Sequence, residues 1–215
     1  EEAARVAAVG TVERAVDQTG VPDDHPLAAH RCQAHRGRRA GLERDARPRS
    51  HVEVALRHPI KLIANALGSP PKDVIDQSHD AGVPVAALAG SAKHALRHVE
   101  NGADIVVAQG HEAGGHTGEI ASMVLTPEIV DAVGSEVAVL GAGGIGRGRQ
   151  VAASLALGAQ GVWTGSVWLT TKEYANLNTN AGMTEAFLRA SSSDTVRTRV
   201  YTGKPARLLK TKWTE

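Results

Sequence analysis

The sequence predicts an α/β fold in which a parallel sheet is covered by helices. Short apolar runs of strand length recur along the chain and do not alternate with polar residues. The first four are each followed by a stretch of helical pattern, so that five strands alternate with helices along the chain. The chemically distinctive residues come just after the apolar runs, and in α/β folds the loops at the C-terminal ends of strands gather ligand-binding groups. Strands apolar throughout are buried on both faces, as in a parallel sheet layered with helices. A closed eight-fold barrel and an open doubly wound sheet both satisfy this pattern.

The regular pattern begins after His51. "IKLIANAL" (60–67) is a first strand, closed by "GSPP" and followed by a helix-like "KDVIDQSHDAG". "VPVAALAG" (83–90) is a second, followed by "SAKHALRHVENGA", where Ser91 is placed to cap a helix. "DIVVAQG" (104–110) is a third. After a long loop, "TPEIVDAVG" predicts a helix and "VAVLGAG" (137–143) a fourth strand. "GRQVAASLALGA" is an amphipathic helix running out at Gly158, and "QGVWTGSVWL" supplies a fifth strand. Every helix leaves through a glycine.

At 215 residues and 42% hydrophobic content, the chain suits one globular domain with a sizeable core. No run approaches the roughly 18 apolar residues of a membrane span. The N-terminus "EEAARVAAVG" has no signal-peptide core. A single cysteine, Cys32, precludes an internal disulfide and fits a reducing compartment, so a cytoplasmic location is expected. Aromatics at 3% argue against a stacking platform for nucleic acid.

The net charge of +1 conceals an uneven distribution. Residues 30–50, "HRCQAHRGRRAGLERDARPRS", hold seven Arg against Glu43 and Asp45. With Leu42 its only large aliphatic residue, this stretch can bury no face. It reads as a solvated loop rather than a nucleic-acid arm, and its composition resembles out-of-frame translation of a GC-rich gene. Residues 1–50 are therefore expected to form an atypical segment, disordered or non-native, ahead of one domain over residues 51–215.

"GAGGIG" (141–146) satisfies the G-x-G-x-x-G pattern between a strand and a helix, alone a weak dinucleotide signal. No Asp or Glu occurs between Glu136 and Glu173, so the acid that would meet a ribose is missing. The next strand ends in a second small-residue turn, "TGS". Two such loops in succession, with Gly143 and Gly144 in one and Gly165 and Ser166 in the next, suit a phosphate held between neighbouring strand ends of a barrel.

"AQGHEAGGHTG" (108–118) holds His111, Glu112 and His116 among four glycines. Zinc would need His at i and i+4 on a helix; here the spacing is five, across Gly114 and Gly115. His94 and His98 have helical spacing but no third ligand beside them, and read as a solvated helix face. No metal site is expected. Acid–base chemistry remains, because an imidazole exchanges protons near neutrality and glycines admit a flat ligand beside it.

"AQGHEAGGHTG" followed by "GAGGIGRGRQVAASLALGAQGVWTGSVWL" resembles the nitronate monooxygenase (2-nitropropane dioxygenase) family of flavin enzymes. "ALGSPPKDVID" and "DTVRTRVYTGKPARLLKTKWTE" resemble further regions of it. The resemblance runs from about residue 55 to the end. It implies a (β/α)8 TIM barrel with FMN at its C-terminal face, of which strands four to eight are recognisable and one to three are not. Residues 51–215 would then be a partial, FMN-binding barrel domain, its exposed edges favouring a homo-oligomer. By motif position, Gln109 would bond the flavin ring and Gly114 would lie against it. Gly143, Gly144, Trp163, Thr164, Gly165 and Ser166 would surround the phosphate. His116 would be the catalytic base, and His111 an ordinary loop residue. The implied reaction oxidises alkyl nitronates or nitroalkanes with O2 to carbonyl compounds and nitrite. Related barrels act instead on enoyl thioesters or CoA-linked intermediates, and a non-catalytic fragment is the remaining alternative.

Overall fold

The computed structural model describes residues 6–9, 46–177 and 181–214. Cys32, the Arg-rich stretch over 30–45 and most of the segment 1–50 lie outside the described residues. The main sheet has six parallel strands: β1 (Val6–Val9), β2 (Leu62–Asn65), β3 (Val85–Ala89), β4 (Ile105–Gln109), β6 (Ala138–Ala142) and β7 (Gly161–Trp163). The helices are α1 (Ala46–Leu56), α2 (Lys72–Asp80), α3 (Ala92–Glu100), α4 (Ser122–Val133), α5 (Gly148–Ala156), α6 (Lys172–Leu177) and α7 (Ala181–Arg189). A second, antiparallel sheet joins β5 (Gly115–His116), β9 (Ala206–Leu209) and β8 (Thr195–Thr198).

The strand order decides between the two architectures. Every strand of the main sheet lies beside the next one in the chain, in the order β1-β2-β3-β4-β6-β7. A doubly wound sheet reverses direction at a switch point; sequential winding is that of a barrel. The sheet is open, since β1 and β7 do not pair among the described residues. All five strands expected from the apolar runs are present. β1 is a sixth, pairing Val6 with Leu62 through Val9 with Asn65. "QGVWTGSVWL" forms less strand than expected: β7 stops at Trp163, and Ser166–Thr170 is a 3-10 turn.

The core has two sides. Ala89, Val106, Ala108 and Val139 pack under Ala95 of α3 and Leu125, Ile129 and Val133 of α4, all at most 1% exposed. On the opposite sheet face Ala64, Ala86, Val107 and Ala142 are buried among half-buried Leu62, Leu88, Ile105, Leu140 and Trp163. This is the face that a barrel turns inward.

His98 corrects the reading of "KHALRH" as a solvated face. It is 2% exposed, and its ring bonds Ser69 Oγ at 3.0 Å and the Leu88 carbonyl at 3.1 Å. Burial pushes its pKa below the usual histidine value. His94 alone faces solvent, because one turn of helix places Ala95 and His98 together inward.

Candidate functional site

Three loops meet beyond the C-terminal ends of β4, β6 and β7. Gln109 ends β4 opposite Ala142 of β6. It is half-buried, and among the described residues its side-chain amide makes no hydrogen bond. The chain then turns tightly: Gly110 N–H donates to the Ala142 carbonyl and Ala113 N–H to the Gly110 carbonyl.

Glu112 organises this junction. Its carboxylate accepts from Ser122 N–H at 3.0 and 3.1 Å and from Ser122 Oγ at 2.8 Å. Ala121, at the N-cap of α4, offers no side chain of its own, so Glu112 caps the helix from ten residues away. Burial pushes the Glu112 carboxyl up, but the Ser122 hydroxyl and backbone N–H outweigh it and hold the pKa below the usual value. Ser122 Oγ also reaches the Ala142 and Gly143 carbonyls, at 3.2 and 3.3 Å.

Gly143 and Gly144, after β6, have φ of +111° and +68°, a left-handed pair that L side chains adopt at a cost. A Cβ on Gly143 would stand 3.2 Å from the Gly110 carbonyl oxygen, and one on Gly144 would stand 3.3 Å from Glu112 Cβ. The loop is tied off by Gln150, whose Oε1 accepts from Gly146 N–H at 2.9 Å and whose Nε2 donates to the Gly144 carbonyl at 2.7 Å. α5 follows, and Arg147 at its N-cap contributes no side-chain bond to the first turn. Among the described residues the N–H groups of Gly148 and Arg149 meet no acceptor, which leaves them open to an anion.

The loop after β7 completes the group. Trp163 turns into the apolar inner face of the sheet. The Thr164 hydroxyl and carbonyl accept from Trp168 Nε1 at 3.0 and 3.1 Å. Gly165 begins the 3-10 turn, with nothing within 4 Å of where a Cβ would stand. A Cβ on Gly114 would lie 2.5 Å from Ser166 Oγ, so the "AGGH" and "TGS" loops touch. Gly114, Gly143, Gly144, Gly165 and Ser166 are thereby gathered at one end of the sheet, and Gln109 lies beneath them.

His116 belongs to the second sheet. β5 pairs Gly115 with Arg207 and His116 with Ala206. The imidazole Nε2 meets Thr202 Oγ1 at 2.6 Å. Two arginines bind this sheet to the 110–119 loop. Arg197 donates to Thr117 Oγ1 at 3.0 Å and the Gly118 carbonyl at 2.9 Å, and pairs with Glu119 at 2.7 Å. Its hydrogen bond and charge lower the pKa of the exposed Glu119. Arg207 donates to the His111 carbonyl at 3.1 Å and to Thr195 Oγ1 at 3.1 Å. His111 enters this scheme through its backbone.

Sequence reasoning did not find Glu112 as a cap, Gln150 as a loop tie, or Thr202. Glu112 was visible as the one carboxylate among the glycines, but its partner is not local. Among the described residues no three His, Cys, Asp or Glu side chains gather in a manner that could hold a metal. No described helix is long and apolar enough to cross a membrane.

Sequential winding and ligand-ready loops at the strand ends define a TIM-barrel-type α/β chain. The nitronate monooxygenase family model matches residues 14–215, well ahead of residue 55, where the recognisable motifs begin. The chain belongs to that family. A provisionally named monooxygenase of Mycobacterium tuberculosis is 61% identical over 164 residues, covering 76% of this chain and 43% of the relative. A (3aS,4S,5R,7aS)-5-hydroxy-7a-methyl-1-oxo-octahydro-1H-indene-4-carboxyl-CoA dehydrogenase of Rhodococcus jostii is 33% identical, over 93% of this chain and 52% of its own. The solved structure of a nitroalkane oxidase from Streptomyces ansochromogenes superposes with a TM-score of 0.69 at 32% identity, covering 77% of this chain and 49% of that one. The chain spans about half the length of the curated relatives it matches.

Proposed function

We propose that this chain carries the cofactor and proton-transfer half of an FMN-dependent oxidoreductase that oxidises alkyl nitronates or nitroalkanes with O2, giving carbonyl compounds and nitrite. The observation that carries this reading is the meeting of the Gly114 loop with Ser166, beside the left-handed pair Gly143–Gly144. The residues present fit a flavin mononucleotide. Gly143, Gly144, Gly165 and the uncapped start of α5 would meet its phosphate through backbone N–H groups, and Ser166 would add a hydroxyl. Thr164 and Trp163 would brace that loop. Gly114, lacking a side chain, would let the ring lie against the backbone, and the Gln109 amide, without a hydrogen bond among the described residues, would bond its edge.

Bound FMN would supply the redox chemistry, conveying electrons from the nitronate to O2. The protein's own share is acid–base and positional. His116 would remove the α-proton of a neutral nitroalkane, leaving the electron pair on the nitro group as a nitronate. A nitronate offered ready-made has already lost that proton, so His116 would only help to orient it and would not be required for its oxidation.

The test begins with the visible absorption spectrum of the purified chain, with and without added FMN, followed through gel filtration. A flavin band that travels with the protein supports the reading; a colourless protein that retains no FMN refutes it. In the loaded protein, His116→Ala should keep FMN and lose turnover of neutral nitroalkanes by roughly a hundredfold or more, with oxidation of propionate 3-nitronate largely kept. Loss of FMN in that variant would make His116 structural instead.

A second reading keeps the flavin site and changes the substrate to a CoA-linked intermediate. Its support is the Rhodococcus relative, which spans 93% of this chain. Reduction of the bound flavin by an acyl-CoA but not by a nitronate would favour it.

A further inference from the structure

The hairpin between β8 and β9 ends in seven residues, 199–205, "RVYTGKP". Arg199, Val200, Tyr201, Gly203 and Lys204 are exposed, while Thr202 is half-buried and turned against the sheet. The turn is closed by Gly203 N–H donating to the Arg199 carbonyl at 2.9 Å, with φ of +78° at Gly203. It is anchored beside β5, where Thr117 N–H donates to the Pro205 carbonyl at 3.1 Å. The turn thus delivers one hydroxyl to one imidazole, 86 residues away in sequence and 2.6 Å away in space.

That contact constrains the ring. A threonine oxygen has one proton and two lone pairs. One lone pair of Thr202 Oγ1 already faces Lys204 N–H, at 3.4 Å. Among the described residues no other group hydrogen-bonds the His116 ring. With Nε2 engaged by Thr202, Nδ1 is the nitrogen left for chemistry, and it can act as a base only if the ring proton sits on Nε2.

We propose that Thr202 is the positioning residue of His116: its hydroxyl oxygen accepts a hydrogen bond from the Nε2–H and holds the ring in the tautomer whose Nδ1 lone pair is free to receive a proton. The inference rests on the role given to His116 above. In that role the substrate's α C–H bond breaks, its proton passes to Nδ1, and the electron pair remains on the nitro group. Valine at 202 would keep the shape and remove the acceptor. Serine would keep the acceptor.

The experiment is nitrogen NMR of the histidine-labelled chain, for the native protein, Thr202→Val and Thr202→Ser, with His116→Asn to assign the signal. It is run at alkaline pH, where imidazoles are neutral. The native protein and Thr202→Ser should show a slowly exchanging ring N–H on Nε2 of His116, and Thr202→Val should lose it. A proton found on Nδ1, or a signal that Thr202→Val leaves unchanged, overturns the proposal. The kinetic arm uses FMN-loaded protein. Thr202→Val should lower kcat/KM for a neutral nitroalkane roughly tenfold or more, leave propionate 3-nitronate within about threefold, and be rescued by Thr202→Ser. Equal losses on both substrates would overturn it as well. Should the native protein turn over neither compound, the proposed function fails, and the NMR result still decides what Thr202 does.

Discussion

Two glycines of the site separate folding from binding at the level of single residues. A Cβ on Gly110 would stand 2.5 Å from Ser122 N and 2.6 Å from Glu112 Oε2, both parts of a hydrogen bond that the fold uses. Backbone has to move to make room, and overpacking of that kind costs about 1–3 kcal/mol. Gly165 has nothing within 4 Å of its Cβ position and a negative φ, so alanine is free to enter there. Gly110→Ala should therefore lower thermal stability in the absence of any ligand. Gly165→Ala should leave stability within about 0.5 kcal/mol while weakening FMN binding, because in the proposed site a methyl group would stand where the phosphate would need backbone. Thermal melts and a flavin titration on both variants check the pair. Equal FMN affinity in Gly165→Ala and the native chain would remove the "TGS" turn from the phosphate site. The same residues show why a motif was legible here and its geometry was not: glycine spacing marks where backbone must come close, but not that Ser122 and Glu112 are what it comes close to.

At the scale of elements, what could be read from sequence follows how local the forces are. The five apolar strands announce themselves because burial on both faces demands unbroken runs such as "VAALA" and "IVVAQ". The second sheet does not: β5 has two residues and β8 is "TVRT", held to the loop by Arg197 and Arg207 rather than by a core. α4 shows the same limit. Pro127 inside it reads as a helix start, yet the helix begins at Ser122, because Glu112 supplies its missing cap from another loop. That cap makes stability depend on pH. A carboxylate held low in the folded state takes its proton later than the unfolded chain as pH falls. Its contribution is whole above the ordinary value, 4.5, and is lost as pH drops through the folded value. Glu112→Gln should destabilise the chain by about 1 kcal/mol or less at neutral pH, a cap's worth reduced by solvent screening. The gap between the two proteins should close in acid. Denaturant melts across the acid range measure it, and a gap that persists in acid would mean that the charge of Glu112 is not what caps α4.

The whole molecule joins an open sheet to a site gathered at one end of it. Strand order is sequential, and the sheet face that a barrel turns inward carries half-buried Leu62, Leu88, Ile105, Leu140 and Trp163. Anything that ties the ends of β6 and β7 together should therefore stabilise the sheet, and a phosphate bound between the Gly143–Gly144 and Gly165–Ser166 loops would do so. A ligand present at about a hundred times its Kd adds roughly 2.7 kcal/mol to folding. For a chain of this size that corresponds to a rise in Tm of roughly 5–11 °C. FMN should give that rise, and riboflavin, which has the same ring and no phosphate, should give distinctly less at equal concentration. The comparison separates the proposed phosphate loops from the ring contacts proposed for Gln109 and Gly114. If riboflavin stabilised the chain as well as FMN, the ring would be the anchor, and the paired glycine loops would be turns that serve the fold alone.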